Sequence, residues 1–119
     1  MQLTWYRCSN DITKHEDAFY IEAILEHIEA IKACTPSSKD VFLRDEKTYD
    51  AILMRLIALG EELAHVSDAF HEKYPEQQWH RIIGLRNRIA HGYFEVDKDT
   101  IWEILTNGSL DALQELLEA

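Results

Sequence analysis

The sequence predicts an all-α protein, folded as an up-and-down bundle of four or five helices. Only 4 Gly and 2 Pro occur among 119 residues, so the chain has few places at which a helix must stop. Apolar residues recur at steps of three and four along most of the chain, which is the period of helices with one buried face. The short polar breaks between these runs favour antiparallel neighbours.

Three long helices are predicted first. The earliest covers residues 18–34, where the buried stripe consists of Ile21, Ile24, Leu25, Ile28 and Ile31. Asp45 can cap a second helix, in which Gly60 allows close approach of a neighbour. The apolar stripe of that helix comprises Ile52, Leu56, Leu63, Val66 and Phe70. A third helix is predicted over residues 77–91, with Gly92 as its C-terminal stop.

Two short amphipathic helices complete the predicted bundle. They are separated by Asn107 and Gly108, and Ser109 is the expected N-cap of the last one. The length of the chain predicts a single domain spanning residues 1–119, in which the structure of residues 1–15 stays open. Cys8 and Cys34 have no second cysteine nearby, so we expect reduced thiols rather than a disulfide framework or a metal site.

The composition is that of a soluble globular chain, with 46% apolar and 29% charged residues. No apolar run approaches the roughly 18 to 20 residues that span a bilayer. The first ten residues also lack the apolar segment of a secretory signal. We therefore expect a cytoplasmic protein that makes no membrane contact.

The charge of the chain is unevenly distributed. A net charge of −10 disfavours non-specific nucleic-acid binding, because affinity for phosphates comes mostly from Lys and Arg. Between Gln77 and Phe94, however, there is no Asp or Glu. That segment contains five basic side chains, namely His80, Arg81, Arg86, Arg88 and His91. Distant charges are screened in salt, so this basic segment is the candidate surface for an anion.

Arg86 occupies a position of the third helix where an apolar residue is expected. It follows Ile82 by four positions and Ile83 by three, which places it in line with the apolar face. Taking an unpaired charge out of water is costly, so such an arginine needs compensation. A carboxylate such as Glu61 or Glu62, a hydrated cleft, or a subunit boundary that receives an anion would each provide it.

His91 is a candidate for proton transfer. It lies five residues after Arg86, about 140° around a helix, so spacing alone does not place the two side chains on one face. Asn87 precedes His91 by four positions and is placed to orient the imidazole. An imidazole can take a proton from a ribose 2′-hydroxyl at neutral pH, and a guanidinium can hold a phosphate. The alternative is a histidine that only interacts with the helix dipole.

The string RNRIAHGY at residues 86–93 resembles the signature of HepT toxins within the HEPN superfamily, which is Arg, four residues, His, one residue, Tyr. The resemblance extends over most of the chain from Thr48 onward. It includes a Gly-Glu step, a Pro-Glu turn before Trp79, and a Val-Asp pair with a second Trp after the motif. The first 15 residues have no clear counterpart in the family.

This resemblance implies a homodimer of HEPN folds, in which the two motif helices meet and their cleft holds both copies of Arg86 and His91. It implies a metal-independent endoribonuclease without a cofactor, whose 2′-oxygen attack leaves a 2′,3′-cyclic phosphate. His91 would be the acid and base, Arg86 would hold the phosphate, and Asn87 would assist. Arg88 and Arg81 are expected to bind the RNA, which is either tRNA or mRNA.

The resemblance also implies that the protein is the toxin of a toxin–antitoxin system. In that family a partner nucleotidyltransferase antitoxin transfers AMP to the Tyr two places after the His, which is Tyr93 here. A bulky anionic group beside Arg86 and His91 would block RNA by charge and volume. Tyr93 can equally be an interface aromatic, and the two roles are compatible.

Two other functions fit parts of the sequence. The first is a non-catalytic helical module that binds a nucleotidyltransferase and has an inert cleft. The second is a di-iron centre, suggested by the ExxH step of Glu62 and His65, although such a centre needs a second step and two more Glu. The histidines without paired spacing are expected at the solvated surface; they are His15, His27, His71 and His80.

Overall fold

The computed structural model describes residues 10–77 and 79–119, with the side chains of 16–77, 79–93 and 95–119. These residues form seven α-helices and no strand, which confirms the predicted all-α class. The helices are α1 (Asn10–Cys34), α2 (Lys39–Arg44), α3 (Glu46–His65), α4 (Asp68–Lys73), α5 (Trp79–His91), α6 (Lys98–Thr106) and α7 (Ser109–Glu118). Short 3-10 segments at Pro75–Gln77 and Tyr93–Glu95 flank α5. Within this part of the chain, no helix combines the length and apolarity needed to span a membrane.

The five longer helices correspond to the predicted ones, and α2 and α4 are six-residue additions. α4 exists because the predicted second helix breaks at Val66 and Ser67. The Ser67 side chain accepts the Phe70 N–H at 3.2 Å and so begins a new helix. The Asp17 carboxylate of α1 accepts the Ser67 N–H at 2.9 Å and its hydroxyl at 2.7 Å. Val66 and Phe70 therefore lie beyond the end of α3, contrary to the prediction.

α1 begins at Asn10, earlier than the predicted start at residue 18. Residues 10–15, which the sequence left open, therefore form its first turns. Residues 1–9 of that segment, including Cys8, lie outside the described residues. Cys34 is exposed and has no disulfide partner in the described part of the chain.

α3 is the central helix, because α1 packs on it from one side and α5 from the other. From α1, Ile24, Ile28 and Ile31 point into this core and have no exposed surface. α3 contributes a second buried row, formed by Ile52, Leu53, Leu56, Leu59 and Leu63. Each aliphatic side chain buried in this way contributes roughly 1.5–3 kcal/mol relative to exposure. The core therefore fixes α3 between two neighbours.

The three packed helices alternate in direction, as the up-and-down prediction requires. Asp17 of α1 meets Ser67 just after α3, whereas His27, further along α1, meets Arg55 within α3. The same reversal holds between α3 and α5. Arg86 of α5 contacts Gly60, whereas Tyr93, which follows α5, contacts Asp50 nearer the start of α3. α1, α3 and α5 thus run antiparallel in sequence order.

At Gly60, α5 lies so close to α3 that a side chain would not fit. A Cβ atom placed on Gly60 would lie 2.7 Å from the Cβ of Arg86 and 3.6 Å from the carbonyl oxygen of Ile82. Since a Cβ position is fixed by its own backbone, the clash can be relieved only by moving the helices apart. The prediction that Gly60 allows close approach is confirmed, and the residue that approaches it is Arg86.

The turn between α6 and α7 differs from the prediction in its capping residue. Gly108 has φ of 91°, in the left-handed region that favours glycine. Ser109 is the first residue of α7 and makes no side-chain cap, so its predicted N-cap role is wrong. The side-chain oxygen of Asn107 instead accepts the Ser109 N–H at 2.9 Å.

Gly60→Ala is expected to destabilise the fold by about 1–3 kcal/mol, because the added methyl group forces α3 and α5 apart. Urea unfolding followed by circular dichroism measures the change. Gly84→Ala on α5 is the matched control, since no atom lies within 4 Å of the Cβ it would add. Helix propensity predicts a gain of up to about 1 kcal/mol for that control. Unchanged stability of Gly60→Ala would contradict the close approach.

Candidate active site at the carboxyl end of α5

α5 is anchored at its start and ends at the predicted residue. The indole N–H of the buried Trp79 donates to two backbone carbonyls of the preceding segment, each at 3.0 Å. Ile89 is buried near the other end. The Gly92 N–H donates to the Arg88 carbonyl at 3.0 Å, and the helix stops at His91. His91 is exposed at this end, as a side chain that meets a substrate must be.

Arg86 has a carboxylate partner within its own subunit, one of the three alternatives that the sequence left open. Its Nη1 lies 3.0 Å from Oε1 of Glu61, and the two side chains are 21% and 50% exposed. Its Nε donates to Oδ1 of Asn87 at 3.1 Å. Within the described residues, these contacts use two of the five guanidinium donors. An ion pair with this exposure contributes at most about 1 kcal/mol, so a phosphate can compete for Arg86.

Asn87 contacts Arg86 rather than His91. Its side-chain oxygen accepts the bond from Arg86, and no hydrogen bond among the described side chains joins Asn87 to His91. The predicted orientation of the imidazole by Asn87 is therefore not found. What Asn87 does in this subunit is restrain the guanidinium of its neighbour.

Arg86 and His91 leave α5 in different directions. The helix is continuous through both residues, so the five-residue step corresponds to about 140° of rotation and roughly 7.5 Å along the axis. With this helical geometry, the backbone of one subunit does not direct both side chains to one place.

Tyr93 hydrogen-bonds to a residue that the sequence gave no reason to select. It opens the 3-10 segment after α5, it is 38% exposed, and its hydroxyl donates to Oδ1 of Asp50 on α3. This bond is the main reason that the pKa of Tyr93 rises to about 12, with burial and the negative charge of Asp50 adding to it. Asp50 is 43 positions away, so no helical spacing relates it to the motif.

Arg81 and Arg88 belong to another face of α5. They line a groove of about 600 Å³ between α5, α6 and α7 that has an apolar floor. Glu76 and Glu103 line the same groove, so its charge is balanced. Arg86 lies against α3 instead. The structure thus separates the two arginines expected to bind RNA from the one expected to hold the reacting phosphate.

Two of the remaining histidines are not at the solvated surface, contrary to the prediction. His27 is half-buried and accepts a bond from Arg55 at 3.1 Å. His71 is half-buried and donates to a backbone carbonyl of α3 at 3.0 Å. His80 is exposed, as predicted, and the side chain of His15 lies outside the described residues. Both half-buried rings have hydrogen-bond partners within the fold.

The ExxH step of Glu62 and His65 has no further ligands nearby. His65 stacks on Tyr20 of α1, with ring centroids 5.1 Å apart. In residues 16–77, 79–93 and 95–119, no three His, Cys, Asp or Glu side chains are grouped so that they could hold a metal ion. The described residues give the di-iron alternative no support.

A comparison with known protein families matches the region that contains these side chains. The family model described as "Ribonuclease HepT-like" matches residues 24–119, which include all of α3 and α5. This chain belongs to the HepT-like ribonuclease family. The prediction made from the motif is thereby confirmed at the level of the family.

Three similar proteins come from archaea. A Methanocaldococcus jannaschii protein, provisionally named an RNase, is 33% identical over 79 residues, which are 66% of this chain and 65% of that protein. A Thermococcus cleftensis protein, provisionally named ribonuclease HepT, is 33% identical over 90 residues, covering 75% and 80%. A second Methanocaldococcus jannaschii protein, also provisionally named an RNase, is 31% identical over 64 residues, covering 54% and 59%. The matches thus span less than two thirds of both Methanocaldococcus proteins. No solved structure matches the chain significantly.

Tyr93 of this HepT-like protein is expected to titrate with a pKa of about 12. Asp50→Asn removes the carboxylate, so the pKa should fall toward the ordinary tyrosine value of about 10. Because folding raises this pKa, the contact stabilises the fold at neutral pH, and that contribution is lost as the pH rises from about 10 through the folded-state value. Carbon-13 NMR of labelled tyrosine Cζ atoms measures the titration, and Tyr93→Phe assigns the resonance. An ordinary pKa in the parent protein would contradict the hydrogen bond.

Proposed function

We propose that this protein is a metal-independent endoribonuclease that acts as the toxin of a toxin–antitoxin system. The observation that carries the proposal is that a ribonuclease family match includes α5, where contacts among the described residues use two of the five Arg86 donors and His91 is exposed. The names of the relatives support RNA as the substrate class. The target is a cytoplasmic tRNA or mRNA.

The active site is formed by two copies of the chain. Since Arg86 and His91 diverge by about 140° around α5, a second α5 related by a two-fold axis lets the His91 of one subunit approach the Arg86 of the other. The pairing also brings together the Arg86 side chains of both subunits on an otherwise acidic protein. A local positive potential of this kind attracts a polyanion despite an unfavourable net charge.

The proposed reaction needs only proton transfer and charge stabilisation, so it uses no cofactor. One His91 takes the proton of the 2′-hydroxyl, whose oxygen attacks the neighbouring phosphorus. The bond from phosphorus to the 5′-oxygen breaks, and the same His91, now protonated, donates its proton to that oxygen. The products are a 2′,3′-cyclic phosphate and a 5′-hydroxyl. Arg86, restrained by Asn87, stabilises the phosphate charge, and Arg81 and Arg88 bind flanking phosphates.

A partner nucleotidyltransferase antitoxin silences this activity by transferring AMP to Tyr93. The exposed fraction of Tyr93, 38%, supports access by such an enzyme. Tyr93 follows His91 by two positions, so the added phosphodiester and nucleoside would lie beside the catalytic side chains. RNA would then be excluded by like charge and by volume.

One observation favours a second candidate function. The Arg86 guanidinium is already paired with Glu61 of its own subunit, as in a bundle where the arginine has a structural role. In that case the chain would be a non-catalytic module that binds a nucleotidyltransferase. RNA cleavage by the isolated protein separates the two functions.

The purified protein is expected to cleave RNA in the presence of EDTA. His91→Ala should lower kcat by about 10²–10⁴-fold, since it removes the acid and base. Arg86→Ala should lower it by about 10²–10³-fold, since it removes charge stabilisation in the transition state. Cleavage rates and the terminal groups of the products measure both effects.

His80→Ala is the matched control for this experiment, because His80 is an exposed histidine at the start of the same helix. It should cleave RNA at the rate of the parent. Absence of cleavage by the parent would favour the binding module. Loss of cleavage in EDTA would show that the metal-independent mechanism is wrong.

A further inference from the structure

We propose that Asp50 is the general base for modification of Tyr93, so that the modified chain supplies the group that takes the phenol proton. This inference rests on the proposed function, and specifically on nucleotidyl transfer to Tyr93. It gives a residue of α3 a chemical role in inactivating the proposed nuclease site on α5.

The geometry places the base and the nucleophile in direct contact. The Tyr93 hydroxyl donates a short hydrogen bond to Oδ1 of Asp50, so the proton already points at its acceptor. Both residues are exposed, so another protein can reach this pair. A general base must lie within hydrogen-bond reach of the proton it removes, and Asp50 does.

The Tyr93 hydroxyl needs a base before it can act as a nucleophile at neutral pH. The bond to Asp50 and the surrounding negative charge keep the phenol protonated at neutral pH, since they raise its pKa to about 12. A neutral phenol is a weak nucleophile until its proton is removed. As its oxygen bonds to phosphorus, the phenol becomes strongly acidic, and the proton can then pass to the carboxylate of Asp50.

The step balances with one co-reactant, a nucleoside triphosphate carried by the nucleotidyltransferase. A lone pair of the Tyr93 oxygen attacks the α-phosphorus and forms the new ester bond. The bond from the α-phosphorus to the bridging oxygen breaks, and pyrophosphate leaves with that electron pair. The phenol proton moves to Asp50, which returns it to water.

Other charged groups around this pair have different roles. On α3, Glu46 is bound to Lys98 of α6, with Oε1 and Nζ 2.7 Å apart. The Tyr49 hydroxyl is buried, and burial raises its pKa. Glu46 adds negative charge near Tyr93. Glu46→Gln therefore removes a nearby charge but leaves the Asp50 contact in place, which makes it the matched control.

The test uses the full chain, its partner nucleotidyltransferase and ATP labelled at the α-phosphate, with Tyr93→Phe as the unlabelled reference. In Asp50→Asn, the amide oxygen can still accept the hydroxyl hydrogen bond but cannot take the proton. Initial labelling of Tyr93, located by mass spectrometry, should fall by about 10²-fold or more. Glu46→Gln should stay within a few-fold of the parent. RNA cleavage and circular dichroism of Asp50→Asn should be unchanged, because the amide keeps a hydrogen-bond acceptor for Tyr93 and the proposed nuclease reaction does not use the carboxylate.

Several outcomes would overturn the inference. Labelling of Asp50→Asn at the parent rate would exclude Asp50 as the base. An equal loss of labelling in Glu46→Gln would show that the effect comes from negative charge near Tyr93 and not from proton transfer to Asp50. If Asp50→Asn unfolds, Asp50→Glu is compared by itself: it keeps a carboxylate, so it should be labelled, and a folded but unlabelled variant would contradict the proposal. If the parent protein cleaves RNA but is not labelled, both this step and the proposed silencing by AMP transfer are wrong. The proposed nuclease function would still stand.

Discussion

The spacing between α3 and α5 is the constraint on which the candidate site depends. Because Gly60 has no side chain, the backbone of α5 and the Cβ of Arg86 can lie against α3. That spacing brings Glu61 to 3.0 Å from the guanidinium and brings Asp50 to the Tyr93 hydroxyl at the other end of the interface. Both ends of the Arg-to-Tyr motif are thus positioned by one helix, and its carboxylates set their chemistry. Glu61 competes with phosphate for the arginine, whereas Asp50 accepts the hydrogen bond of the phenol and raises its pKa.

Much of the fold follows from the sequence, because helical periodicity reports burial directly. The five longer helices, the end of α5 at His91 and the close approach at Gly60 were all predictable. The break after α3 was not, since the apolar period continues across Val66 and Ser67. Its cause is the carboxylate of Asp17, 50 positions away, which binds the Ser67 N–H and hydroxyl. A polar contact over that distance leaves no periodic signal in the sequence.

The candidate site, like the fold, was only partly predictable from the sequence. The motif itself identified the family, and Glu61 was one of two expected partners of Arg86. Asp50 could not be found, since it is related to Tyr93 only through the packing of two helices. Asn87 was expected to orient His91. Its side-chain oxygen instead accepts a hydrogen bond from the guanidinium of the adjacent Arg86. The single domain, the dimer and the roles of the site residues stay predictions.

The central claim is that each active site combines an arginine and a histidine from different subunits. The most direct measurement is RNA cleavage by a mixture of Arg86→Ala and His91→Ala proteins after subunit exchange. Mixed dimers would hold one intact Arg86 and one intact His91 on opposite subunits, so the mixture should cleave RNA faster than either variant alone. A mixture no more active than its separate components, or a parent protein that cleaves RNA while sedimenting as a monomer, would contradict a shared site.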